Sequence, residues 1–406
     1  LRLRAYLSRR LGDLELAEDV LQSALLAAQE RWQRSGTPDN PAGWLATVAY
    51  HRGIDELRRR GRTEQLAPEL LEGIASLDED PLHRSPIPDD RLALIFALCH
   101  PAISPSVRSA LVLQLAAGLT AVELGRIFLM PSATMGQRLS RAKRKICDAA
   151  IPLDIPGPQE LPARVEAVRT VIYLIFTEAH AATRGADLLR QDLAREAIAL
   201  GKVLLSLLEE YQLASELAET RGLLALMLLH EARSEGRVDP AGELLTLEEQ
   251  DRSRWNKKMI AEARSVLKRA LELPGDGPYQ VEAAIAALHA EAAHYDETDW
   301  SEMLLLYDVL RHYKPGVVVE VNRAVVVCQA DGPERALESV RELRADPSAR
   351  HYAPLWLLLG ELHERAGERG LAFDALNTAL ALTENRSTAA HIRRKLRRLA
   401  GGSGEK

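Results

Sequence analysis

The sequence predicts an all-α protein, and three observations carry that expectation. Ala, Leu, Glu and Arg dominate the 406 residues while aromatic residues make up only 4%, a mix that favours helices over the β-branched and aromatic content of sheets. Apolar residues recur at helical rather than alternating spacing in segment after segment. Near the C-terminus, small residues repeat at a spacing that lets antiparallel helices close up in pairs.

The first predicted helix spans 13–33. Asp13 is a suitable N-cap, and Leu14, Ala17, Val20, Leu21, Ala24, Leu25 and Ala28 keep the helical period. Gly36, Pro38 and Pro41 break it. A second helix runs from about 42 to 60 on Trp44, Leu45, Val48, Ile54 and Leu57. Residues 61–90 lose periodicity, are rich in Asp, Glu and Pro, and read as a linker.

Further helices follow: one holding Leu92–Cys99, one over Pro105–Ala117, and a close pair over Thr120–Leu129 and Ser132–Ile146. Only Met130 and Pro131 join the last two, and so short a link between amphipathic helices is helix-turn-helix geometry. In the second helix of the pair, Met135, Leu139, Ala142 and Ile146 should face the core. Ala133, Gly136, Gln137, Ser140, Arg141 and Arg144 should then face outward. Gly136 in mid-helix costs about 1 kcal/mol relative to Ala; either plain tolerance or close approach to a ligand accounts for it.

A Pro/Gly segment from Ile151 to Pro162 precedes an all-helical remainder. There Trp356, Leu359, Gly360, His363, Ala372, Leu376 and Ala379 fall at tetratricopeptide spacing. Ala324, Ala336, Val340 and Leu343 repeat the offset one unit earlier. Tyr307, Leu310 and Pro315, then Ala263, Leu267 and Ala270, mark two more imperfect units. The expected organisation is a helical domain over 1–62, a linker over 63–88, a helix-turn-helix domain over 89–150, a linker over 151–162 and an α-solenoid of helix pairs over 163–400.

Charge and composition exclude several classes. Net charge is −6, but residues 1–150 hold 20 Lys and Arg against 18 Asp and Glu, while the rest hold 32 against 40. Two compact basic stretches, Arg52 to Arg62 and Arg138 to Lys145, suit either a polyanion partner or solvated helix ends. No run of eighteen apolar residues offers a membrane span, and no signal peptide is visible. Three dispersed cysteines fit a reducing cytosol better than a disulfide framework or a zinc site. His289 and His294 are five apart, which is not zinc-helix spacing, and no phosphate loop or nucleophile elbow is present. The expectation is a non-enzymatic protein without cofactor or metal.

Three strings, Ala17-Glu18-Asp19-Val20-Leu21-Gln22, Trp44-Leu45-Ala46-Thr47-Val48-Ala49 and Asp55-Glu56-Leu57-Arg58-Arg59-Arg60, resemble region 2 of a bacterial sigma factor. The segments His100–Pro105, Gly118–Leu124 and Ala133–Ile146 resemble its region 4. Tyr173–Phe176, Gly222–His230, Asp251–Trp255 and Ala284–Ala292 resemble extracytoplasmic-function sigma factors that carry a long tetratricopeptide-like extension. The resemblance begins part-way into the first region 2 helix, which implies a natural chain that starts earlier. Tyr50-His51-Arg52 stands where family members often have Arg-Asn-Arg, and the helix-turn-helix turn, Phe128-Leu129-Met130-Pro131, lacks the common Gly.

The resemblance implies a cytoplasmic factor for stress-responsive transcription initiation that binds RNA polymerase core and promoter DNA. Asp19 and Gln22, three apart on one helix face, would dock on the clamp helices of the largest polymerase subunit. Asn40, Trp44, Arg52, Arg58 and Arg59 would serve the −10 element, with Trp44 also in period with the core. Ser132, Gly136, Gln137, Arg138, Ser140, Arg141, Lys143 and Arg144 would serve the −35 element. Gln137 is suited to adenine and Arg141 to guanine, while Arg138, Lys143, Arg144 and Lys145 suit phosphates. The extension would regulate the sigma core and offer a groove to a protein or peptide regulator; Asp251, Arg252 and Trp255 are either an interdomain contact or a buried knot. The rival reading is a DNA-binding regulator with a peptide-sensing solenoid that never binds core polymerase.

Overall fold

The structure, a computed structural model, describes residues 1–59, 90–128, 130–181, 187–237, 239, 245–343, 346, 349–383 and 386–401. The expected linker over 63–88 lies outside the described residues. All described secondary structure is helical, in two compact units that meet in sequence between Leu213 and Ala214.

Ten residues for which the sequence pattern predicts no element open the first unit as α1, Arg2–Leu11. It buries Ala5, Leu7 and Leu11 and stops at Gly12, whose φ of 67° is left-handed. Helix α2, Leu14–Ser35, starts where Asp13 accepts hydrogen bonds from the Glu15 and Leu16 N–H groups. These cover two of the bare donors of a helix N-terminus. Helix α3, Pro41–Arg59, completes a three-helix core around Leu7, Val20, Ala24, Leu45, Ala49 and Ile54. A methyl at Gly53 would sit 2.6 Å from a Leu11 methyl, so α1 and α3 approach this closely only over glycine.

Next come α4, Asp90–Leu98, α5, Pro105–Ala117, α6, Ala121–Ile127, and α7, Ser132–Asp148. Thr120 and Glu123 cap α6 reciprocally, each taking the other's backbone N–H. Gly125, inside α6, lets the Met130 carbonyl come within 2.8 Å of where a Cβ would stand.

Helix α4 is buried on every side, from Arg91 through Leu98. It packs against α1, α5, α8 (Pro162–Ala181) and α9 (Asp187–Glu210). Arg91 pairs with Glu196 of α9 at 2.7 Å, and Arg9 of α1 reaches Asp90 at 2.8 Å. The expected linker over 151–162 is instead packed, with Ile151, Leu153 and Leu161 buried. The break between units falls some fifty residues later than the Pro/Gly segment suggested, because α8 and α9 are needed to cover α4.

The second unit comprises α10, Ala214–Glu231, α11, Lys257–Leu271, α12, Pro278–Glu291, α13, Trp300–Tyr313, α14, Val317–Asp331, α15, Pro333–Ser339, α16, Ala353–Arg365, α17, Arg369–Leu382, and α18, Arg386–Gly401. Consecutive helices pack as neighbours, α16 and α17 most extensively. There a Cβ at Gly360 would lie 2.6 Å from Leu376, and Leu359, Ala372, Leu376 and Ala379 are fully enclosed.

Of Asp251, Arg252 and Trp255, the last two are buried together inside the second unit. Trp255 is 2% exposed and Arg252 6%. Arg252 donates to the His289 and Ala292 carbonyls at 2.7 and 2.8 Å, capping the end of α12. Its guanidinium lies 5.1 Å from the Trp255 ring centre, and Arg233 stands over the same ring at 5.4 Å. Asp251 stays exposed and accepts from the Ser253 N–H. These bonds all lie within the second unit.

Two predictions follow from this packing. A chain ending at residue 213 should unfold cooperatively, whereas one ending at residue 150, which bares α4, should lose its cooperative transition and aggregate; calorimetry and light scattering read the difference. Burial, aided by the charges of Arg233 and Arg252, pushes the His289 imidazole down to about 4. The unfolded chain therefore takes up a proton that the folded one refuses. Stability from this group is full above about pH 6.5 and declines as pH falls towards 4, by about 3 kcal/mol in all. His289→Gln should flatten that part of the pH–stability curve.

Candidate nucleic-acid interface

The exposed side of α2 is the first candidate surface. Asp19 and Gln22 both face solvent. Beside them Glu18, Leu21, Gln22, Leu25, Leu26 and Gln29 line a shallow groove with Arg4. Leu25 is 48% exposed and Leu26 65%, so Leu25 does not join the core that its period suggested. The helix turns both leucines outward, because Leu21, Ala24 and Ala28 already fill the contact with α3. Neighbouring exposed leucines flanked by Gln and Asp form an apolar centre with a polar rim, which suits a helical partner. Leu26 was the available signal, since it falls outside the apolar period of its helix.

The residues expected at the −10 element are largely engaged at home. Asn40 accepts from the Gly43 N–H at 2.9 Å and so caps α3. Trp44 is half-buried and meets Trp32 edge-on at 5.6 Å, with Arg31 over its face at 5.9 Å. Its place in the core period describes its packing. Arg52 donates to Ser23, Arg58 lies 3.7 Å from Asp55, and Arg59 pairs with Glu56. All three arginines remain exposed along the second half of α3, where such pairs are weak and readily exchanged. Tyr50 is buried, whereas His51 is exposed.

Helix α7 follows its expected register. Met135, Leu139, Ala142 and Ile146 are buried. Ser132, Gln137, Arg138, Ser140, Arg141 and Arg144 face outward. Arg141 and Gln137 touch at 3.3 Å, and Arg138, Arg141 and Lys145 edge a groove whose far wall is Ala102 to Val107. Lys145 spans that groove to the Ala102 carbonyl at 2.6 Å. Space beside Gly136 is open, with no atom within 4 Å of where a methyl would stand, so packing does not require glycine there.

Lys143 departs from expectation. It is 8% exposed, and its ammonium pairs with Glu18 of α2 rather than standing ready for a phosphate. Arg4 adds a second tie, donating to the Gln114 and Leu115 carbonyls at the end of α5. Helices α5 and α7 are thus each fastened to the first three helices by a cation, and the resemblance assigns one of the two, Lys143, to DNA.

Residues 1–63 match Sigma-70 region 2. The N-terminal domain is a sigma-factor region 2, and the chain has a sigma-factor-like role in transcription initiation. Residues 164–271 match a Family of unknown function (DUF6596), which takes in α8 to α11. The Uncharacterized protein R00370 of Rhizobium meliloti (strain 1021) is 39% identical over 400 residues, 97% of this chain and 92% of that protein. The chain belongs to the family of that protein. No solved structure matches it. Among the described residues, no helix is long and apolar enough to cross a membrane.

Gly136 supplies a test of α7. Gly136→Ala should raise helix stability by about 1 kcal/mol, since nothing crowds the site. If DNA approaches the backbone here, the same change should weaken duplex binding; a melting curve and a binding titration on one preparation separate the two effects.

Proposed function

We propose that the chain is an RNA polymerase sigma factor of the extracytoplasmic-function type, with a tetratricopeptide-like extension that regulates it. The observation that carries this reading is the pairing of a sigma region 2, matched over 1–63, with an exposed Asp19–Gln22–Leu26 face on α2. A protein that only bound DNA would have no use for that face. In this reading Gln22, Leu25 and Leu26 sit against the clamp helices of core polymerase, with Asp19 at the rim. The second half of α3, with Arg52, Arg58 and Arg59, neutralises phosphates beside the −10 element.

Helix α7 enters the major groove at the −35 element. Gln137 offers an amide for adenine and Arg141 a fork for guanine, each worth about 1–3 kcal/mol of discrimination. Arg138 and Arg144 hold the backbone and give salt dependence without reading sequence. Lys143 joins them only if its pair with Glu18 opens. The chain acts by binding and positioning, not as an enzyme, and the helix pairs after Leu213 offer a surface to a protein or peptide regulator.

Run-off transcription with purified core polymerase tests this. The full chain should direct core to defined start sites. Leu26→Arg should cut core binding at least tenfold while leaving duplex binding by α7 intact. Duplex binding without any binding of core would replace this reading with a plain DNA-binding regulator.

A further inference from the structure

The second unit carries an exposed run of cations that nothing described so far uses. Residues 254–269 hold six basic residues against a single acidic one, Glu262, within a part of the chain that is acidic overall. On α11 the side chains of Lys257, Arg264 and Lys268 fall in one row, and those of Lys258 and Arg269 in a second, about 100° round the helix. All five are exposed, and the rows extend about 18 Å at 1.5 Å per residue. Ile260, Ala263, Leu267 and Ala270 occupy the buried side, so the helix cannot turn the cations inward.

Ion pairing separates this helix from the other basic helix of the unit. On α18, Arg394, Lys395 and Arg398 are matched with Glu249, Glu361 and Glu364. Three of its cations are thereby answered inside the unit. On α11, among the described residues, only Arg264 has a carboxylate, Glu291 at 3.0 Å. Lys257, Lys258, Lys268 and Arg269 have no ion pair among the described residues. Two of these lysines also stand in the first turn, which holds no acidic residue and where the helix dipole repels a cation. That placement is unfavourable for the isolated helix and favourable for a helix that meets a polyanion.

We propose that the α11 face is a second, sequence-independent contact to the phosphate backbone of duplex DNA, made by the extension rather than by the sigma domains. Two rows of exposed cations, four of the five without an ion pair among the described residues, match the closely spaced charges of a duplex and need no base edge to read. The inference rests on the DNA-binding part of the proposed function.

The test uses the full chain with Lys257, Lys258 and Lys268 each changed to Gln, and a labelled duplex covering a promoter and its flanks. Loss of three phosphate contacts should make the slope of log K against log salt shallower by about 2–3 and weaken binding about tenfold or more at physiological salt. A hydroxyl-radical footprint of the wild-type chain should show a protected segment beyond those given by α3 and α7, and the triple variant should lose only that segment. The melting temperature should not fall, because two of the changes relieve repulsion at a helix N-terminus. Unchanged slope and footprint, or a defect confined to core polymerase affinity, would overturn the proposal. A wild-type chain that binds duplex but never core removes the sigma reading and leaves this surface standing; one that binds no duplex removes both.

Discussion

The enclosure of α4 is the constraint on which the first unit depends. A nine-residue helix that is apolar all round has no solvent face, so every side of it must be covered by another element. The chain supplies α1 from the start of the sequence, α5 from the helix-turn-helix part, and α8 and α9 from beyond the Pro/Gly segment. One charged residue inside this sheath, Arg91, is tolerated because Glu196 meets it at 2.7 Å. An unpaired guanidinium there would cost several kcal/mol. The helices between residues 162 and 210 thus share one core with α1 and α5.

Much of this was legible locally. Asp13 announced α2, the four-residue rhythm of Met135, Leu139, Ala142 and Ile146 set the register of α7, and Gly360 with Ala372 gave the closest helix pair. Where reading failed, the deciding contact was distant in sequence. Lys143 looks like its solvent-facing neighbours until Glu18 is brought beside it across 125 residues. The unit boundary was misplaced because Pro and Gly between 151 and 162 mark turns, and turns do not reveal whether Ile151 and Leu161 are buried. Helix α1 was missed because four arginines in ten residues hide the spacing of Leu3, Leu7 and Leu11.

Which cations are answered, and where, organises the functional surfaces. Arg4, Arg9, Arg91 and Lys143 fasten helices to one another within the first unit, and Arg252 ties a loop to the end of α12. Arg138, Arg144, Lys258 and Arg269 remain in solvent. A count of basic residues per segment does not distinguish the two groups. The same residue types act as internal rivets or as an outward field according to whether a carboxylate or a helix-end carbonyl stands opposite.

The last helix has a consequence for assembly. A stack of helix pairs ends in an apolar face that another copy could continue. Here Ile392, Leu396 and Leu399 of α18 pack against α17, and Arg393 and Arg397 are presented outward. Two copies approaching end to end bring like charge to like charge, so growth into a filament is opposed at the step where it would begin.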